Sequence, residues 1–199
     1  MNEQRLQARK RIIKTLENAE RVKFWNSVLD LARAHAVDLS QGGKISGGQS
    51  LKGGKLSAEQ QSSLAVLTFA TLAIEARTNH LIDELREEGK ITDNEAEAAR
   101  FLRPEHKWFI LPKLAGRSRK LRDDVPPHQA IKEICRQRNN LMHFNFGRLR
   151  LPSRREMISL FNQFVDAMEE MNVVLRYVRR PRHYRKKLKV TPGVKTIKR

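Results

Sequence analysis

Three short signals punctuate this chain and constrain what it can fold into. Ser57 with Gln60, Thr92 with Glu95 and Ser153 with Glu156 each set a hydroxyl residue three positions before a long polar side chain. In that arrangement the two side chains satisfy each other's unpaired backbone N–H groups at the start of a helix. Apolar residues at three- and four-residue spacing follow each box. Leu64, Leu67, Thr71, Ile74, Thr78, Leu81 and Leu85 follow the first, and Ala96, Ala99 and Leu102 the second. Met157, Phe161, Phe164, Met168, Met171, Leu175 and Val178 follow the third and form the cleanest stripe in the chain. Such spacing lines one face of a helix, so the expected class is all-α. The Met and Phe residues of the third stripe are core or dimer-interface material rather than a ligand pocket.

The remaining segments fit around these helices. Residues 3 to about 37 read as one long helix with an imperfect stripe of Leu6, Ile13, Leu16, Phe24, Val28 and Leu31. Lys10, Arg11, Lys14, Arg21, Lys23 and Arg33 decorate the rest, so this is a first bundle helix or a basic arm, with Phe24 and Trp25 expected to pack. Residues 40–57 hold three glycine pairs among Ser, Gln and Lys and read as a mobile basic linker. Without a GxxxxGK[ST] signature or a preceding strand, a P-loop is not expected. Pro104 is expected to stop the helix opened by Thr92, and Glu105–Leu114 to form a short helix with Trp108, Leu111 and Leu114 in the core. His80, near Asp83 and Glu84, reads as a surface histidine. The chain thus divides into a basic helix (1–39), a linker (40–57), a helical domain (58–178) and a tail (179–199). The tail carries ten Lys or Arg, no acid, and Pro181 and Pro192, and is expected to be disordered.

A net charge of +18 and a pI near 10.7 point to a polyanionic partner, foremost nucleic acid. Arg117, Arg119, Lys120 and Arg122 form a basic loop that suits an RNA backbone or is a solvated charge run. In the tail, Arg179, Arg180, Arg182, Arg185, Lys186 and Lys187 are further candidates for RNA contact. No run of 18 apolar residues exists to span a membrane, and the charged N-terminus with Glu3, Glu17 and Glu20 resembles neither a signal nor a transit peptide. A reducing cytoplasm is the default. The single cysteine, Cys135, rules out an internal disulfide and is expected to be a buried thiol. No Cys/His cluster has zinc-site spacing, and no metal or cofactor is expected.

Residues 131–144 (IKEICRQRNNLMHF) carry the candidate chemistry. Ile131, Ile134, Cys135, Leu141 and Met142 define an apolar helix face, and Arg138 falls near its middle. A buried guanidinium cannot shed its charge, so Arg138 must meet an acid or open into a cleft. Glu75, on the preceding long helix, is the expected acid. His143 lies roughly 140° around the helix from Arg138, with Asn139 between them. Arg138-Asn139-x-x-x-His143 resembles the Arg-x4-6-His signature of the HEPN superfamily. The stretch LTFATLAIEARTNHLIDEL (67–85), with its Glu75-Ala76 pair, is similar to that family's long second helix. Lys107-Trp108 and Leu111-Pro112 are similar to the segment before the motif helix.

That resemblance, over residues 57–178, implies a four- to five-helix bundle and a metal-independent endoribonuclease acting as a homodimer. It also implies a defence, toxin–antitoxin or RNA-processing setting, in which an antitoxin or ribonucleoprotein partner is expected. His143 suits one of the two proton transfers, from the attacking 2′-OH or to the leaving 5′-oxygen; Arg138 suits a phosphate, and Asn139 a hydrogen bond to the phosphate or to His143. Branches of the family that bind RNA without cleaving it leave that alternative open.

Overall fold

The first helix is longer than its apolar stripe suggests. A computed structural model of the chain describes residues 3–42, 49–50, 56–118, 120–142, 150–175 and 187–189. Helix α1 runs over Glu3–Gln41. Its buried face is Trp25, Val28, Leu29, Ala32, Ala36 and Leu39. Of the stripe expected from sequence, Val28 is buried, whereas Ile13, Leu16, Phe24 and Leu31 are exposed. The larger side chains drew that expectation, but alanines at 32 and 36 form the contact because they let α1 lie close against its neighbour. No described side chain from Ile13 to Phe24 is buried.

That neighbour is α2 (Ala58–Glu87), which touches every other helix. Its capping box is formed as expected: Gln60 N–H donates to Ser57 Oγ and Ser57 N–H to Gln60 Oε1. The anticipated stripe is buried from Leu67 to Leu85, but so are Val66, Ala70, Ala73, Arg77 and His80. A helix buried on more than one face is apolar most of the way round, as the run from Leu64 to Ile74 is. Arg77 lies 4.9 Å from the Trp25 ring centre and donates to Asn172 Oδ1 at 3.0 Å, linking α1, α2 and α6. The chain leaves α2 through Gly89, whose φ of +68° suits glycine.

Helix α3 (Asp93–Arg100) starts at the Thr92 box and buries Ala96 and Ala99 but not Leu102. Pro104 is a correction: α3 has already ended, and Pro104 opens α4 (Pro104–Leu114), where its missing N–H costs nothing. Helix α5 (Gln129–Met142) holds the motif, and α6 (Arg154–Val174) starts at the Ser153 box. Met157, Phe161, Phe164, Met168, Met171 and Leu175 are buried as the third stripe required; Val178 lies outside the described residues.

Residues 40–57 are not purely linker. Gln49–Ser50 (β1) pairs antiparallel with Arg150–Leu151 (β2), and buried Arg154 donates from Nη1 to the Gly42 carbonyl. The architecture is otherwise helical, and the class is all-α. Nor is the tail wholly free. Asn162 Nδ2 donates to the Leu188 carbonyl and Leu188 N–H to Asn162 Oδ1, both at 2.9 Å, while Lys187 pairs with Asp166 at 3.0 Å. His80 corrects another expectation: it is buried, with Nε2 3.2 Å from Glu84 and Nδ1 without a described hydrogen-bond partner.

Candidate active-site cleft

Helix α5 changes character along its length. In its first turns Ile131, Ile134 and Cys135 enter the core. Burial, and then the Glu105 carboxylate, push the Cys135 thiol well above its ordinary value, which suits the inert buried thiol expected. One turn later, Arg138 is half-buried and opens into a cleft of about 720 Å³. Asn139 and Asn140 line that cleft from α5, Arg103 from the N-cap of α4, His106 and Phe109 from α4, and Glu75 from α2. The volume falls among ligand pockets, roughly 300–1,000 Å³.

The charges sort themselves by partner. Lys132 is paired with Asp123 at 2.7 Å and Arg136 with Glu133 at 2.6 Å. Burial would raise the Glu133 carboxyl, but Arg136 and Gln137 outweigh it and hold it below its ordinary value. Glu75 pairs with Lys107 at 3.8 Å, rather than with Arg138 as the sequence suggested. Burial pulls the Lys107 ammonium below its ordinary value, against the opposing pull of Glu75. Arg138 donates from Nη1 to Asn139 Oδ1 at 3.2 Å. Among the described residues, neither Arg138 nor Arg103 has a carboxylate partner, so two guanidinium groups face the cleft uncommitted. Planar donors of that kind match phosphate oxygens.

The other candidates fare unequally. His143 follows directly after α5 and lies outside the described residues, as do Arg119, Arg179, Arg180, Arg182, Arg185 and Lys186. Arg117 is not aimed outward: its Nη2 donates to the Leu175 carbonyl at 3.5 Å. Arg122 grips Asp124 at two points, 3.1 and 2.7 Å. Lys120 is exposed. The basic loop is therefore in part self-paired.

Arg103, His106 and Phe109 escaped the sequence reading. A signal was present: Arg103, the N-cap of α4, His106 and Phe109 recur every third residue, off the face that carries the buried Trp108 and Leu111. No cluster of three or more His, Cys, Asp or Glu among the described residues is placed to hold a metal.

The fold defines an all-α protein in which, among the described residues, no helix is long and apolar enough to cross a membrane. Comparison with family models, with curated proteins and with solved structures finds no match to this chain.

Proposed function

We propose that this chain is a metal-independent endoribonuclease of the HEPN type. The observation that carries the reading is the pair Arg138–Asn139 at an open cleft with two uncommitted guanidinium groups. In the proposed reaction a ribose 2′-OH attacks the adjacent phosphorus, and His143 takes the hydroxyl proton. Charge then builds on the non-bridging oxygens, where Arg138 and Arg103 can stabilise it. Asn139, hydrogen-bonded to Arg138, holds that guanidinium in place. Glu75 acts at one remove, by pairing with the buried Lys107. A homodimer with RNA as substrate completes the proposal, in a defence or RNA-processing setting.

The test is incubation with a labelled structured RNA in excess EDTA. Wild type should cleave and leave 2′,3′-cyclic phosphate ends, and Arg138→Ala and His143→Ala should each lose cleavage while keeping the fold. Activity surviving both substitutions overturns the assignment. The alternative, an RNA-binding protein without catalysis, is favoured by the net charge of +18. It requires salt-sensitive binding by all three proteins and cleavage by none.

A further inference from the structure

The proposed reaction needs two proton transfers, one from the attacking 2′-OH and one to the departing 5′-oxygen. A guanidinium does not release its proton, which removes Arg103 and Arg138 as donors. Lys132 is tied to Asp123 at 2.7 Å, and Asp123 in turn holds its ammonium above its ordinary value. The imidazole lining the described cleft is His106.

We infer that His106 is a further catalytic residue of this cleft, the donor to the 5′-oxygen. The inference rests on the ribonuclease reading above. The histidines elsewhere in the described structure are engaged. His80 faces Glu84, His128 lies between Trp108 and Glu170, and His35 stacks on Phe69. His106 is exposed and has no hydrogen bond or ion pair to a described residue. It stands three residues after Arg103, the N-cap of α4, and three before Phe109, and all three line the cleft. Together they offer a phosphate ligand, a proton donor and an aromatic ring in succession. Helix α4 is anchored by fully buried Trp108 and Leu111, and Arg103, His106 and Phe109 line the same cleft as Arg138.

The step balances without water, metal or redox change. The O2′–P bond forms and the P–O5′ bond breaks. The 2′-OH proton passes to the base, and the imidazolium N–H proton of His106 passes to O5′. The products are a 2′,3′-cyclic phosphate and a 5′-hydroxyl.

A substrate whose bridging 5′-oxygen is replaced by sulfur separates the roles, because a thiolate leaves without a proton. Wild type, His106→Gln and Arg138→Ala are assayed on an ordinary oligoribonucleotide and on its 5′-thio analogue. His106→Gln should cleave the ordinary linkage about 10²- to 10⁴-fold more slowly, lose the alkaline limb of the pH profile, and recover to near wild-type rate on the thio linkage. Arg138→Ala should be slow on both. A wild-type rate for His106→Gln on ordinary RNA overturns the inference but leaves the ribonuclease reading standing, since Arg138→Ala still loses activity. A loss that sulfur does not rescue overturns the donor role. No cleavage by wild type removes both the inference and the reading beneath it.

Discussion

Trp108 and His128 show how one side chain can tie distant parts of this chain together. Trp108 Nε1–H donates to His128 Nδ1 at 3.2 Å, which places the imidazole proton on Nε2, 3.2 Å from the Glu170 carboxylate. The relay joins α4 to α6, with Trp108 and His128 buried and Glu170 partly exposed. Replacing His128 with Ala leaves the Trp108 N–H buried without its acceptor, at a cost of about 2–3 kcal/mol. Thermal melting should show a drop of roughly 2–4 °C per kcal/mol for a chain of this size; an unchanged melting point contradicts the relay. Lys107 gives a pH-dependent counterpart. Burial lowers its folded-state pKa, so between that value and its ordinary one the unfolded chain binds the proton better. Stability from this group therefore rises with pH across that window. Compared with Lys107→Met, wild type should gain in urea midpoint as pH rises towards the ordinary lysine value of about 10.4. A constant difference across that range argues against a depressed ammonium.

Elements of this fold are held by a few specific contacts as much as by broad apolar faces. The clearest case is the return of the chain onto α6. The Asn162 amide makes the two hydrogen bonds to Leu188 that a strand neighbour would make, and Leu188 packs against the core edge. Asn162→Ala removes both bonds at once. Limited trypsin digestion should then cut faster after Lys187 and Lys189, with the melting point little changed; equal cutting rates would show that the docking does not protect this segment. Helix α5 illustrates the opposite balance. Its first turns are held by apolar burial, and its last turn is left to face the cleft. The apolar period of residues 131–142 predicted the helix and the buried Cys135. It could not say whether Arg138 meets an acid or a cleft, because that depends on α4 and α2, which are distant in sequence.

At the scale of the whole molecule, charge governs what the protein can approach. Net +18 attracts polyanions, and binding to RNA releases counterions. The logarithm of affinity should therefore fall linearly with the logarithm of salt concentration, with a slope of about −0.7 per neutralised phosphate on single strands. Deleting residues 179–199, which hold ten of the basic side chains, should make that slope shallower. A slope unchanged by the deletion assigns the contact to the helical body instead.

The class of this protein and the starts of three of its helices follow from the sequence alone, because capping and helical periodicity are local. Ser57, Thr92 and Ser153 each meet a partner three residues away whatever the rest of the chain does. The inward stripe of α6 is likewise set by its own spacing. Tertiary structure decided the rest. It chose Ala32 and Ala36 over Ile13 and Leu31 for the face of α1, buried His80, docked Leu188, and turned Glu75 towards Lys107. It also brought His106 and Arg103 into the cleft of Arg138. These outcomes depend on which residues from remote segments meet, and the close approach of two helices or the pairing of a buried charge is a property of both partners together.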